Sequence, residues 1–292
     1  IAQNLSSEIE YEISDPKYSL DDIIVSNSTL EDISLVISLK QDFDRVFKDM
    51  GFQETHKYSK KFIVNFYGEP GTGKTLAAHA IAKKFNKKII IVDYSQIESK
   101  YVGDTPKNLK KLFSFAEKND YLIFFDEADA ILSRRVTNMQ SATDTSVNQT
   151  RSVLLNILND FQGDVIFATN FITNYDPAFM RRISKHVFFS LPDQEARVKI
   201  FEKYLPKKMQ KYSNIPALAI ELNGLSAADI EKGVLMAAFQ ASSAGKTIIE
   251  QSDIIQQMQL ILKNKQDNTN KADSFTSNKI VSKDYVEKQI GV

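Results

Sequence analysis

A chain of 292 residues, 42 % of them hydrophobic, is long enough to bury one large core and a smaller one, since domains usually run to about 100–200 residues. Its 37 basic and 37 acidic side chains cancel, so no net field gathers nucleic acid or an anionic membrane. The lack of cysteine excludes disulfides and thiolate metal sites, and His56, His79 and His186 do not have ligand spacing, so any metal must be held by oxygen.

Residues 1–18 read as an N-terminal tail. The chain begins at Ile1 rather than methionine and shows no basic-then-apolar leader, so truncation or processing upstream is expected. Five short β-rich runs follow at 62–67, 88–93, 121–126, 164–169 and 186–191, alternating with helical patterns. Their nearly continuous apolarity marks strands buried on both faces, as in a parallel sheet. None approaches the roughly 20 apolar residues that cross a bilayer, so a soluble, cytoplasmic chain with no membrane span is expected.

Between the strands, Leu76, Ala77, Ala80, Ile81 and Phe85 share one helical face, and Val153, Leu154, Ile157, Leu158 and Phe161 share another. The expected fold is therefore α/β, a parallel sheet flanked by helices over 19–191. After Pro192 the strand signals stop. A small all-helical domain is expected over 192–263, with Ser226 and Asp229 capping a helix that carries Ile230, Val234, Ala237 and Ala238 on one face. Residues 264–292 read as a polar linker followed by a short C-terminal helix. Lysine clusters at Lys83, Lys84, Lys87 and Lys88, and at Lys107, Lys110 and Lys111, are expected to face water near helix ends rather than to bind nucleic acid.

The chemistry concentrates at two places. Gly68, Glu69, Pro70, Gly71, Thr72, Gly73, Lys74 and Thr75 satisfy the pattern GxxxxGK[ST], lying after one strand and before the next helix. Glycines there let backbone N–H groups curl around phosphates, and the helix N-terminus adds its positive dipole end. Lys74 reaches the β- and γ-phosphates, while Thr75 offers a hydroxyl to Mg²⁺. At the end of the third strand, Asp126 and Glu127 present adjacent carboxylates where open parallel sheets bind ligands. Asp126 then belongs to the Mg²⁺ shell and Glu127 activates the attacking water, which makes ATP and Mg²⁺ the expected ligands.

With these motifs in place, the chain resembles the AAA+ ATPases over roughly residues 19–262, and most closely the subgroup of spastin, katanin and the hexameric protein unfoldases. The fold implied is a P-loop NTPase domain followed by a helical lid. By that resemblance, Tyr101, Val102 and Gly103 form a pore loop gripping an extended polypeptide, and Asn170 is the sensor of the γ-phosphate. Arg181 and Arg182 are the fingers that reach a neighbouring subunit's site. Asp22 and Ile23 before the core, Leu76 after the phosphate loop, and Ala227 and Ala228 of the lid are implied contacts of the nucleotide.

The departures are also informative. Glu69 stands where many relatives have a first proline of the phosphate loop, and Lys185 where many have a further arginine. Ala227 and Ala228 replace the sensor arginine of other AAA+ branches, which argues against clamp loaders and replication initiators. No HExxH motif follows the lid, so a peptidase partner would be a separate chain. The resemblance implies a homo-oligomer, with a hexamer as its family form, acting on protein substrates with a possible adaptor. A nucleotide-controlled assembly switch with slow hydrolysis and a nucleic-acid loader or translocase are the alternative readings.

Overall fold

The computed structural model describes residues 11–56, 61–93, 105–132, 142–170 and 175–277. The pore-loop residues Tyr101, Val102 and Gly103 lie outside them. The chain divides into two compact units, Ile1–Pro192 and Asp193–Val292.

The first unit is built on a six-stranded sheet: β1 (Glu12–Ser14), β2 (Phe62–Gly68), β3 (Ile89–Asp93), β4 (Leu122–Asp126), β5 (Asp164–Thr169) and β6 (Lys185–Phe189). Their spatial order is β1-β3-β4-β5-β2-β6, and every pairing is parallel except that of β1 with β3. The helices between them are α1 (Asn27–Gln41), α2 (Lys74–Lys84), α3 (Thr105–Asn119), α4 (Asp129–Leu132), α5 (Ala142–Asp160) and α6 (Pro177–Met180).

Alternation along β2 explains the layering. Phe62, Val64 and Phe66 join the core beneath α1 and α2, together with Phe124, Ile166 and Phe189. Ile63 joins the opposite core, where Leu109, Phe113, Leu154 and Leu158 of α3 and α5 meet Phe125 and Phe167. Helix α2 is buried at Ala77, Ala78, His79, Ala80, Ile81 and Ala82, a breadth that small side chains permit against a sheet.

Two expectations about this unit need correction. Residues 12–14 belong to the sheet instead of to a free tail: Glu12, Ile13 and Ser14 pair with Ile91, Ile90 and Ile89. Lys87, expected in water, is buried: its ammonium lies 2.8 Å from Asp164 Oδ2 and also pairs with Asp120. Lys40 of α1 is the second cation on Asp164, whose side chain is fully buried at the start of β5. Burial opposes the Lys87 charge, but the bonds to Asp120 and Asp164 outweigh it and leave its pKa raised. For Lys40 burial prevails over Asp164, and its pKa falls.

The second unit is helical: α7 (Gln194–Tyr204), α8 (Lys207–Gln210), α9 (Ile215–Glu221), α10 (Ala227–Ser243) and α11 (Gln251–Ser277). Asp193 caps α7 through Ala196 N, and buried Arg197 donates from Nε to Ala219 O at 2.7 Å, tying α7 to α9. Ser226 and Asp229 form the capping box of α10, whose buried stripe is Ile230, Gly233, Val234, Ala237 and Ala241. The stretch expected to be a linker from 264 is helical as far as Ser277. No glycine or proline interrupts residues 251–277, and Lys265 pairs with Asp229 of α10, so no breaker stops the helix at 264 and a cross-helix ion pair supports its next turn. Among the described residues no helix is long and apolar enough to cross a membrane.

Candidate active site

Strand β2 runs into the phosphate loop at Gly68, and α2 starts at Lys74. Gly68 has φ +141°, and a Cβ there would stand 2.1 Å from Phe189 O, so only glycine lets β2 turn this close to β6. Gly73, the N-cap of α2, is left-handed at φ 102°, and no side chain caps the helix. The first turn of α2 is therefore left to a ligand's acceptors.

The loop is drawn around the Lys74 ammonium, which donates to Gly68 O at 2.6 Å, Glu69 O at 3.0 Å and Asn170 Oδ1 at 3.3 Å. Burial lowers the Lys74 pKa, against the pull of Asp126, Asp129 and Glu69. Thr72 Oγ1 donates to Glu69 O at 2.8 Å and braces the turn. Pro70 and Gly71 are exposed at its crest, and Leu76 packs against the core below α2.

Asp126 ends β4 with its Oδ2 3.2 Å from Thr75 Oγ1. Glu127 follows with φ 51°, a left-handed conformation uncommon outside glycine, and its N–H donates to Asp126 Oδ1 at 3.0 Å. Its side chain is exposed. Asn170, just past β5, donates its backbone N–H to both carboxylate oxygens of Asp129, at 3.1 and 3.2 Å. Asp129 was missed from the sequence. Its signal was a third carboxylate three residues after Asp126, at the start of α4, where it sets the position of Asn170.

Lys74, Thr75, Asp126, Glu127 and Asn170 thus gather at the C-terminal ends of β2, β4 and β5. The arrangement fits a nucleoside triphosphate with Mg²⁺: an uncapped helix start, an ammonium hydrogen-bonded to neutral oxygens, and one hydroxyl beside one carboxylate. Thr75 and Asp126 are the residues that would hold the ion. Mg²⁺ bound by one or two protein oxygens takes its other ligands from phosphate and water.

The remaining candidates belong to other elements. Asp22 accepts from Ser19 N at 2.7 Å and Ser19 Oγ at 2.9 Å, shaping the turn that buries Ile23 in the core. Ala227 and Ala228 open α10 in the second unit. Arg181 closes α6 and is exposed, whereas Arg182 donates from Nε to Asn159 Oδ1 at 2.8 Å and from Nη1 to Ala178 O at 2.6 Å.

Comparison with known proteins agrees with this geometry. The model of the ATPase family associated with various cellular activities (AAA) matches residues 64–191. A 26S proteasome regulatory subunit 4 homolog of Schizosaccharomyces pombe is 33% identical over 259 residues, 86% of this chain and 56% of that protein. The corresponding homolog of Dictyostelium discoideum is 34% identical over 224 residues, 74% of this chain and 49% of its own length. The proteasome-activating nucleotidase of Saccharolobus solfataricus is 31% identical over 235 residues, 78% of this chain and 58% of its length. The chain spans about half the length of these relatives. On the phosphate loop, the paired carboxylates and these matches together, the chain belongs to the AAA ATPase family.

Proposed function

We propose that this chain is the Mg-ATP-hydrolysing motor of a ring that unfolds or remodels proteins. The observation that carries the proposal is the convergence on one ammonium. Lys74 meets the loop carbonyls and the Asn170 amide, while Thr75 and Asp126 stand 3.2 Å apart alongside. A triphosphate offers Lys74 charged oxygens in place of neutral carbonyls, and Asn170 already lies within reach of the same ammonium. Bound Mg²⁺ would neutralise phosphate charge. Glu127 accepts the proton of the attacking water, Asn170 orients that water or senses the γ-phosphate, and Arg181 and Arg182 approach from the next subunit.

The proteasomal relatives support the same reading at the level of the assembly. By that likeness we infer a homohexamer that threads protein past Tyr101, Val102 and Gly103, with a separate peptidase as a possible partner and the cell interior as its location. Chemistry is then confined to the nucleotide, and the client is moved by conformational work.

The test is the ATPase rate per subunit against protein concentration, for the wild type and Glu127→Gln. A rate that rises with concentration and is lost in Glu127→Gln is expected. A concentration-independent rate, or one that survives Glu127→Gln, overturns the proposal. In parallel, Tyr101→Ala is expected to abolish unfolding of a tagged fluorescent substrate while ATP hydrolysis persists; intact unfolding would remove the pore-loop role.

A further inference from the structure

Asn65 is out of place for a central strand. It sits on β2 between Phe167 of β5 and His186 of β6, fully buried in a run that is otherwise apolar. A buried amide costs stability unless its donors and acceptor are met, and on a strand paired on both sides only side chains can meet them.

The partners form a closed cycle. Tyr175 Oη donates to Thr169 Oγ1, the Thr169 hydroxyl proton is shared between Asn65 Oδ1 at 3.5 Å and Phe66 O at 3.4 Å, and Asn65 Nδ2 donates back to Tyr175 Oη at 3.5 Å. The second Asn65 proton faces His186 Nδ1 at 3.4 Å. Burial, and after it the Lys185 charge, hold the His186 pKa down, which favours the neutral ring, and the tautomer with Nδ1 bare accepts this proton. Burial also pushes the Tyr175 pKa up to about 12, so its hydroxyl keeps its proton throughout the physiological range. Each hydroxyl of the cycle both gives and receives, an arrangement in which the bonds reinforce one another.

What the cycle joins gives it meaning. Thr169 immediately precedes Asn170, the residue beside Lys74. Tyr175 immediately precedes Asp176, which caps α6 through Ala178 N at 2.8 Å and is pinned by its own N–H to Leu132 O at 3.0 Å. Helix α6 ends in Arg181. One hydrogen bond thus connects the residue before the sensor to the residue before the cap of the arginine helix.

We propose that Tyr175, seated by Asn65, is a positioning residue that ties Asn170 of one nucleotide site to the arginines offered to the neighbouring site. The proposal rests on the shared-site ATPase reading above. Through this link, displacement of Asn170 by a γ-phosphate moves the start of α6, and each subunit reports its own nucleotide to the next. A polar cluster serving only to specify the core has no such consequence.

The test uses mixed rings. Glu127→Gln subunits, dead in their own site, are mixed with Arg181→Ala/Arg182→Ala subunits, which lack fingers. Recovered ATPase activity establishes the shared site; no recovery sinks both that reading and this one. Tyr175→Phe is then added to the Glu127→Gln subunits, whose only contribution is their arginines. The recovered rate is expected to fall on the order of tenfold, with the KM for ATP unchanged within about twofold. An unchanged rate overturns the proposal and leaves the shared site standing.

A second variant separates coupling from stability. Asn65→Leu/Tyr175→Phe removes the amide and the phenol together, leaving Thr169 Oγ1 to donate to Phe66 O at 3.4 Å and His186 Nδ1 without the Asn65 amide, so the cost to folding is smaller than that of orphaning Asn65 alone. The same fall in the mixed ring at a little-altered melting temperature is expected; a fall that appears only with a matching loss of stability overturns the proposal.

Discussion

Replacing Asp164 with leucine tests how the first unit is held together at the end of the sheet opposite the nucleotide motifs. The Asp164 side chain is wholly buried, and Lys87, only 7 % exposed, stands 2.8 Å from its Oδ2. Lys40, 27 % exposed, holds the other oxygen. Asp120, 78 % exposed, still bonds Lys87, but water screens it and it replaces only part of the buried carboxylate. Asp164→Leu therefore leaves Lys87 with one solvent-screened partner and takes from Lys40 the carboxylate it held, and breaking a buried pair in this way costs about 3–5 kcal/mol. At about 2–4 °C per kcal/mol for a domain of this size, the first unit should melt roughly 6–20 °C lower. The chain has no tryptophan, so far-UV circular dichroism is the appropriate probe. Replacing Lys40 and Lys87 with methionine alongside Asp164→Leu should recover most of the loss, because a packed apolar trio needs no counter-charge. A single Asp164→Leu variant that melts within a degree or two of wild type would refute the reasoning.

Two further predictions use the same logic of close packing and linkage. Gly68→Ala places a methyl 2.1 Å from Phe189 O at a φ of +141°, so backbone must move; a loss above about 2 kcal/mol together with nucleotide binding is expected, checked by melting and by a fluorescent ADP analogue, and a neutral result refutes the tight β2–β6 approach. Burial opposes the Asp229 charge, but the bonds from Lys265 and Ser226 outweigh it and lower its pKa below the ordinary carboxylate value. Its stabilising contribution to the second unit is therefore present above that ordinary value and is lost as pH falls through the depressed one. Lys265→Met should raise the acid midpoint followed by circular dichroism, and an unmoved midpoint would refute the pairing.

Strands β2 to β5 were legible because burial on both faces forces nearly continuous apolarity, β6 because its run stays apolar although Phe188 is exposed, and the phosphate loop because its chemistry constrains neighbours in one short stretch. Both signals are local. Strand β1 escaped because its three residues include Glu12 and hold only one neighbour, so neither alternation nor apolarity marks it. Lys87 was misplaced because a lysine after a helix ordinarily faces water; the clue lay far off, in an aspartate opening the apolar run at Asp164. Asp129 escaped although it stands three residues from Asp126, since only the fold shows that its carboxylate receives the Asn170 N–H.

The cycle of Asn65, Thr169 and Tyr175 is the extreme of this kind. Taken singly, Thr169 and Tyr175 read as ordinary residues of a strand end and a loop, and Asn65 as one polar residue within an apolar strand. Their meaning arises only when β2 and β5 pair and bring together side chains separated by 104 and 110 residues of chain. A catalytic motif must keep its residue types wherever it occurs, because phosphate imposes them. A link between motifs has no such obligation and can be made by any side chains that span the gap, so it is visible only once the sheet is assembled. That difference is why the nucleotide chemistry was read from the chain, whereas the link we propose to a neighbouring subunit had to be sought in the packing beneath Asn170.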